Sequence, residues 1–276
     1  MADQSSPIAV FDSGLGGLTV MSAIARALPD EDIIYFGDTA RVPYGIKSAP
    51  TIVRFSEQNI RFLCRQDPKL VVVACNTASA AALPHLRRVF PLPIIGVVEP
   101  GARAAVAATR NRRVAVIGTE ATIKSRAYLR SIKRLDPSVA VMDRACPLFV
   151  PLVEEGRKPD DPVVELVAKD YLRPIREFGA DTLVLGCTHY PLLKDAFRVV
   201  LGDGVRIVDS AEETAKVTAE RLAELGLRRR GAATPVYRFF VTDNPLRFAS
   251  VGSRIMGGIV ENVELVEPEP SGGLPS

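Results

Sequence analysis

Short apolar runs alternate along the chain with longer stretches in which apolar residues recur every three or four positions. The short runs lack polar alternation, which is typical of strands buried on both faces of a parallel sheet, and the longer stretches predict amphipathic helices. The predicted strands cover 8–11, 33–36, 70–74, 94–98, 114–117, 139–142, 183–186 and 207–209. The clearest predicted helices cover 18–28, 49–65, 77–89 and 211–225. This order of elements predicts an α/β fold with mostly parallel sheets flanked by helices.

Two of the apolar runs end in a cysteine. Cys75 follows the run 70–74 and Cys187 follows the run 183–186, and each is followed within two residues by a threonine. In open α/β sheets, ligands bind at the carboxyl ends of the strands. We therefore expect the two thiols to face each other across one cleft.

The strand pattern repeats at a nearly constant offset. Strand 114–117 starts 106 residues after strand 8–11, and Cys187 lies 112 residues after Cys75. This offset predicts an internal duplication into two similar sheets. We expect a first domain at 1–97 plus 210–276 and a second domain at 98–209 inserted into it, with the active site in the cleft between them.

The last part of the chain extends the first domain. The alternating run 236–241 is expected at the edge of the first sheet, 244–256 as a loop with a short helix, and 263–266 as a closing strand. Residues 1–6 and the Pro- and Gly-rich tail 267–273 are predicted to be disordered.

Composition and charge exclude several classes of function. The chain has 276 residues, of which 47% are hydrophobic and 24% charged, a normal balance for a globular protein. Lys and Arg total 35 against 32 Asp and Glu, and Trp is absent, so we expect no nucleic-acid partner. The one basic cluster, Arg228-Arg229-Arg230, is interpreted as a solvated helix end.

The sequence also predicts the compartment. No apolar run reaches the ~20 residues of a membrane-spanning helix, and the first residues lack the basic and apolar regions of a signal peptide. We therefore expect a cytoplasmic protein without a membrane partner, in which the cysteines are reduced thiols. These cysteines are Cys64, Cys75, Cys146 and Cys187.

A glycine-rich turn, Gly14-Leu15-Gly16-Gly17, follows Asp12 and Ser13 at the end of the first strand. It lacks the dinucleotide-binding fingerprint because Thr19 occupies the place of the third glycine, and no P-loop lysine follows. Its N–H groups at a helix start are predicted to be able to hold a carboxylate or phosphate. Asp12 is either a plain helix cap or a residue of the cleft.

Several chemistries are open to Cys75 and Cys187. A buried cysteine can simply be a small packing residue, as we expect for Cys64 and Cys146, but the matched strand ends and neighbouring threonines argue against this here. A zinc site with His189 is disfavoured because the chain has only two histidines and no C-x-x-C or H-x-x-x-H spacing. A disulfide redox pair would normally also use C-x-x-C.

Two thiols on opposite sides of a bound molecule suit the inversion of a stereocentre that carries an acidic hydrogen. One thiolate removes the proton from one face, and the other thiol returns a proton to the opposite face. A free cysteine has a pKa of about 8.5, so formation of the thiolate needs help. Helix N-termini after each cysteine are expected to provide it, together with Asn76, Thr77, Thr188 and His189.

The motifs of the chain resemble those of the glutamate racemases, in the cofactor-independent aspartate/glutamate racemase family. The resemblance covers residues 7–265 and rests on seven motifs in register. They are Phe11-Asp12-Ser13-Gly14-Leu15-Gly16-Gly17, Asp38-Thr39-Ala40-Arg41-Val42-Pro43-Tyr44-Gly45, Ala74-Cys75-Asn76-Thr77-Ala78, Gly96-Val97-Val98-Glu99-Pro100, Gly118-Thr119 with Thr122, Leu148-Phe149-Val150-Pro151-Leu152-Val153-Glu154, and Gly186-Cys187-Thr188-His189-Tyr190-Pro191.

The resemblance implies interconversion of L- and D-glutamate without pyridoxal phosphate or metal, a role in supplying D-glutamate for bacterial peptidoglycan, and a homodimer. Cys75 would take the proton from D-glutamate and Cys187 from L-glutamate, and the further catalytic candidates are Asp12, His189 and Glu154. The implied substrate contacts are Asp12, Ser13, Pro43, Tyr44, Gly45, Cys75, Asn76, Thr77, Thr119, Thr122, Cys187, Thr188 and His189.

Alternatives remain open beside this function. A close relative could act on aspartate or another acidic amino acid with the same thiols, whereas a decarboxylase would need only one of them. A non-catalytic regulatory protein would keep its effect after both Cys75 and Cys187 are replaced by Ala. His189 could be a structural histidine, and Glu154 could cap a helix beside Glu155.

Overall fold

The computed structural model describes residues 3–231, 234–258 and 260–268. Two parallel sheets form its framework, with strand orders β10-β9-β2-β1-β3-β4 and β6-β5-β7-β8. The strands are β1 (Ile8–Asp12), β2 (Ile33–Gly37), β3 (Leu70–Val73), β4 (Ile94–Gly96), β5 (Arg113–Gly118), β6 (Ala140–Ala145), β7 (Thr182–Gly186), β8 (Arg206–Asp209), β9 (Tyr237–Val241) and β10 (Val263–Leu265).

The two sheets share one topology. In the first, the initial four strands stand in the order β2-β1-β3-β4, and in the second the next four stand in the matching order β6-β5-β7-β8. Cys75 and Cys187 follow the equivalent strands β3 and β7. The predicted α/β class with two similar parallel sheets is therefore confirmed.

Helices cover both faces of each sheet. They are α1 (Leu18–Ala27), α2 (Ala49–Cys64), α3 (Asn76–Val89), α4 (Val98–Ala108), α5 (Glu120–Ser125), α6 (Ala127–Leu135), α7 (Phe149–Glu154), α8 (Pro162–Phe178), α9 (Lys194–Leu201), α10 (Ser210–Glu224) and α11 (Pro245–Met256). Short 3-10 turns lie at Thr39–Arg41, Tyr44–Ile46 and Tyr190–Leu193. No helix in the described ranges is long and apolar enough to cross a membrane.

Alternate residues of each central strand enter different cores, which explains the unbroken apolar runs. In β1, Ile8 and Val10 pack with α1, α10 and α11, whereas Ala9 and Phe11 pack with α2 and α3. In β5, Ala115 and Ile117 pack with α8 and α9, and the neighbouring valines pack with α4 and α6. Both faces of both sheets are thus buried.

The predicted strand 94–98 is shorter than expected. β4 ends at Gly96, and Val97 already has helical dihedral angles (φ −83°, ψ −15°) as the residue that precedes α4. Glu99 and Pro100 then occupy the first turn of α4, where an acidic side chain and a proline are both favourable. The favourable helix start therefore ends the strand earlier than the apolar run predicts.

Two predictions for the final segments are wrong. Within the run 236–241, Tyr237–Val241 form β9, which is not an edge strand. It lies between β2 and β10, because the closing strand β10 pairs with its outer side. The segment 244–256 is almost entirely helical as α11, and its N-terminus is capped by Asn244, whose side chain accepts from the Arg247 N–H at 3.1 Å.

The start of the chain and the basic cluster are also better ordered than expected. The Gln4 side chain donates to the Gly226 carbonyl at 3.0 Å, and the Gln4 carbonyl accepts from Lys69 at 2.8 Å, so residues 3–6 form an anchored turn. Arg229 is not solvated as predicted but pairs with both carboxylate oxygens of Asp32 at 2.8 and 3.0 Å. Of the segments predicted to be disordered, residues 1–2 and 269–273 lie outside the described residues.

Candidate active site

A cavity between the two sheets collects residues from the loops that follow β1, β2, β3, β5 and β7, together with α7. Of the residues predicted from the sequence, all except Asp12 and Thr122 line it. The lining consists of Ser13, Val42, Pro43, Tyr44, Gly45, Cys75, Asn76, Thr77, Thr119, Val150, Glu154, Cys187, Thr188 and His189. Val42 and Val150 were missed, although both lie within the motifs quoted above.

Cys75 is the residue that caps the N-terminus of α3. Its Sγ accepts from the Ala78 N–H at 3.5 Å, and its thiol donates to the Ser13 hydroxyl at 3.5 Å. Burial and then the charge of Asp12 raise the pKa of Cys75 to about 12, and its hydrogen bonds with Ser13 and Ala78 only partly oppose this. At neutral pH, Cys75 therefore carries its proton.

Cys187 has a different activating environment. No α-helix begins directly after it, so the expected helix N-terminus is absent at this cysteine, and a 3-10 turn begins at Tyr190 instead. Its Sγ lies 3.8 Å from His189 Nδ1, and His189 Nε2 lies 3.2 Å from Glu154 Oε1. The imidazole thus connects the thiol to a carboxylate.

This connection determines the charge of His189. Burial disfavours the imidazolium, but the hydrogen bonds to Cys187 and Glu154 outweigh it and raise the pKa of His189 to about 10. The same bond from His189 lowers the pKa of Glu154. At neutral pH, Cys187 Sγ therefore lies beside a positively charged imidazolium.

Asp12 lies behind the wall of the cavity and is completely buried. One carboxylate oxygen accepts from the Gly14 N–H at 2.9 Å, and the other accepts from the Thr188 hydroxyl at 3.4 Å. Burial raises the pKa of Asp12, and the nearby charge of His189 opposes the rise. The N–H groups of Gly14 and Gly17 thus hold a carboxylate, as the turn was predicted to be able to do, but it is the side chain of Asp12.

Two glycines allow close approach between the halves. A Cβ on Gly16 would lie 2.3 Å from Thr188 Oγ1 and 2.7 Å from His189 Nδ1. A Cβ on Gly45 would lie 2.6 Å from the Cβ of Thr119. Any side chain at either position would separate groups of the first half from those of the second.

A triangle of hydroxyls joins α3 to the start of α5. Thr77 Oγ1 lies 2.9 Å from Thr119 Oγ1 and 3.1 Å from Thr122 Oγ1, and the last two atoms are 2.9 Å apart. Thr119 also caps α5 by accepting from the Thr122 N–H at 3.3 Å. Thr122 therefore reaches the cavity only through the two threonines that line it, and the cluster offers hydroxyl donors suited to a carboxylate.

A buried polar network supports the loop at Pro43, Tyr44 and Gly45. The Tyr44 hydroxyl donates to Asp38 and accepts from Asn59 Nδ2, the latter at 3.0 Å. Asp38 also accepts from Arg41 Nε at 2.8 Å. Asp38, Arg41 and Asn59 do not line the cavity. They hold in place the loop of Pro43, Tyr44 and Gly45, which does.

The site therefore combines two thiols from opposite halves with an imidazolium and several neutral donors. This arrangement can remove and return protons on a small molecule that carries carboxylates. In the part of the chain that the structure describes, no group of three or more His, Cys, Asp and Glu side chains is arranged to hold a metal ion.

Comparisons with known proteins find racemases that are similar in sequence and in structure. A family model described as Asp/Glu/Hydantoin racemase matches residues 8–218. A glutamate racemase of Geobacter metallireducens is 55% identical over 95% of this chain and 97% of its own length. A glutamate racemase of Bacillus anthracis has a similar structure, with a TM-score of 0.92, 41% identity and coverage of 96% of this chain and 98% of that one. A Francisella tularensis glutamate racemase in complex with D-glutamate has a TM-score of 0.90, 40% identity and coverage of 96% and 99%.

Proposed function

Since the chain belongs to the Asp/Glu/Hydantoin racemase family, we propose that it interconverts L- and D-glutamate. The observation that carries this proposal is the pair Cys75 and Cys187, which come from equivalent strands of the two sheets and line one cavity. The complex of a relative with D-glutamate supports the choice of substrate.

Proton transfer runs in opposite directions for the two enantiomers. With L-glutamate, the Cys187 thiolate takes the α-proton, and the Cys75 thiol gives its proton to the opposite face of the α-carbon. With D-glutamate, Cys75 takes the proton and Cys187 returns one. The thiols alone balance the protons, so the reaction needs no cofactor.

The surroundings of each thiol suit these roles. His189, charged at neutral pH, places a positive charge beside Cys187 Sγ, and Glu154 keeps the imidazole protonated. The raised pKa of Cys75 makes its thiol the resting form, ready to donate. With D-glutamate, an ammonium group bound nearby would lower the pKa of Cys75 and so allow it to act as a base. We assign Asp12 a supporting role through Thr188 and the glycine turn.

Neutral donors around the cavity would bind the two carboxylates of glutamate. Hydrogen bonds to the α-carboxylate would also stabilise the charge that develops when the α-proton leaves. The proposed substrate contacts, besides the two cysteines and His189, are Ser13, Pro43, Tyr44, Gly45, Asn76, Thr77, Thr119 and Thr188. Asp12 and Thr122, which do not line the cavity, would act through the residues that do.

The wider assignments follow from the same proposal. We assign residues 1–97 and 210–276 to one domain and 98–209 to the other, supported by the division of strands between the two sheets. The homodimer, the cytoplasmic location and the supply of D-glutamate for peptidoglycan stay predictions based on the resemblance to glutamate racemases.

Circular dichroism of the purified protein with L-glutamate in deuterated buffer, without added cofactor, tests the proposal. We expect the optical signal to decay to zero while one deuterium enters the α-position. A Cys64→Ser variant, which changes a thiol outside the cavity, should behave as the wild type. Retention of optical activity by folded wild-type protein would contradict the assignment, and L-aspartate in a parallel reaction tests the alternative substrate.

A further inference from the structure

Tyr128 of α6 makes a short buried hydrogen bond to the wall of the cavity. Its hydroxyl donates to Asn76 Oδ1 at 2.6 Å, and the two residues are only 3% and 2% exposed. Asn76 directly follows Cys75 and lines the cavity. Tyr128 belongs to the second half of the fold and Asn76 to the first, so this bond crosses between them.

The Asn76 amide has a second polar atom besides Oδ1. Its Nδ2 is buried and has no hydrogen-bond partner among the described residues. A buried donor without a partner costs free energy, and such groups in native proteins usually have a specific explanation. Here the adjacent cavity provides one, because a bound molecule can supply the acceptor.

The Tyr128 hydroxyl is the donor in its bond to Asn76, because an amide oxygen can only accept. The hydrogen of the Tyr128 hydroxyl is therefore directed to Asn76 Oδ1. The Ser210 side chain, at the start of α10, lies beside the Tyr128 hydroxyl, since a Cβ on Gly101 would lie 3.2 Å from both. With Oδ1 turned toward Tyr128, Nδ2 is the end of the Asn76 amide whose donors lack a partner among the described residues.

The backbone around the Tyr128 ring holds it in place. A Cβ on Gly101 would lie 3.2 Å from both the Cε1 and the hydroxyl oxygen of Tyr128, and a Cβ on Gly186 would lie 3.2 Å from its Cε2. The ring thus fits closely between α4 and β7, and the position of the hydroxyl is set before any ligand binds.

We propose that Tyr128 is a positioning residue that orients the Asn76 amide so that Nδ2 donates to a carboxylate oxygen of the substrate. A carboxylate accepts such a bond, whereas an ammonium group has no lone pair to offer. The reverse orientation, with Oδ1 toward the cavity, would favour the ammonium group instead. The inference rests on the proposed function, and it assigns a role to a residue that the sequence motifs did not single out.

A double-mutant cycle tests this role. Tyr128→Phe keeps the ring and removes the hydroxyl, and we expect kcat/KM for glutamate to fall about tenfold, the equivalent of one hydrogen bond of about 1.4 kcal/mol, mainly through a higher KM. In the Asn76→Ala background, the same change should alter kcat/KM less than about twofold, because Tyr128 acts through Asn76. Tyr237→Phe, on the half-buried strand β9 away from the cavity, is the matched control and should behave as the wild type.

Two outcomes would overturn the inference. One is an unchanged kcat/KM in Tyr128→Phe, and the other is the same tenfold loss in both backgrounds, which would show an effect independent of Asn76. If Tyr128→Phe folds poorly, Ser210→Ala replaces it, with a smaller loss expected that also disappears in the Asn76→Ala background. Racemisation of glutamate by the wild type is measured in the same series. A wild type that does not racemise glutamate would contradict the proposed function, whereas an active wild type with either of the two outcomes above would contradict only the role of Tyr128.

Discussion

The Cys187–His189–Glu154 connection makes replacement of Glu154 by Gln an informative perturbation. Glutamine is nearly isosteric and still offers a carbonyl oxygen to His189 Nε2, which lies 3.2 Å from Glu154 Oε1. The change therefore removes the negative charge and leaves the hydrogen-bond geometry. We expect the pKa of His189 to fall, because Glu154 is one of the two groups that raise it.

The size of the fall follows from the strength of a charged hydrogen bond. Such a bond contributes about 1.5–3 kcal/mol, and each factor of ten in an equilibrium corresponds to about 1.4 kcal/mol. Since the Glu154 side chain is 27% exposed, screening favours the lower part of this range. The pKa of His189 should then fall from about 10 toward about 9.

The assay is kcat/KM for racemisation between pH 6 and pH 10.5. In Glu154→Gln, the His189 imidazolium loses its proton at a lower pH than in the wild type. The alkaline limb of the profile should therefore shift by about 1 pH unit toward lower pH, and activity near pH 7 should change little. Glu155→Gln is the matched control, because Glu155 lies next in the chain, pairs only distantly with Arg157 and does not line the cavity. Because the substrate amino group titrates in the same way with both variants, the comparison with Glu155→Gln also corrects for that titration. An alkaline limb that coincides with the wild-type limb, or moves to higher pH, would refute the reasoning.

Three further predictions concern stability. Lys69→Met leaves Glu31 a buried charge without its ammonium partner and should lower the free energy of unfolding by about 3–5 kcal/mol in urea titrations, with kcat unchanged; a loss below 1 kcal/mol would contradict this. Tyr44→Phe removes one donor from the carboxylate of Asp38 and should cost about 1.5–3 kcal/mol in the same assay, whereas an unchanged midpoint would argue against the network. The folded pKa of His189, about 10, lies above its usual value of 6.5, so the imidazolium stabilises the fold fully below pH 6.5 and less as the pH rises toward 10. Thermal unfolding from pH 6 to pH 10 should therefore show a steeper loss of stability for the wild type than for His189→Gln, and parallel curves would contradict this.

Much of the fold was predictable because the strands are buried on both faces. An unbroken apolar run such as 70–74 has few other structural explanations, and a cysteine directly after it marks the carboxyl end of the strand. The similarity of the two sheets also followed from the repeat. The edge position of β10 did not, because pairing between strands distant in sequence depends on tertiary contacts that no local pattern encodes.

The motifs identified the lining of the cavity better than its supports. Cys75 and Cys187 were found because each follows a distinctive strand, but the predicted helix start after Cys187 is absent, and His189 lies beside this thiol instead. Tyr128 was not predicted as a site residue, because it lies on the buried face of an amphipathic helix, where an aromatic residue is usually part of the core. Only the three-dimensional contact with Asn76 distinguishes it from a packing residue.

The most direct test of the two-thiol mechanism is exchange of the α-hydrogen by single-cysteine variants in deuterated buffer. Cys187→Ala retains only Cys75, so NMR should show deuterium entering D-glutamate without inversion, while L-glutamate stays unchanged. Cys75→Ala should give the mirror result, with exchange into L-glutamate only. If either variant still racemises glutamate, or exchanges both enantiomers alike, the assignment of one thiol to each face of the α-carbon is wrong.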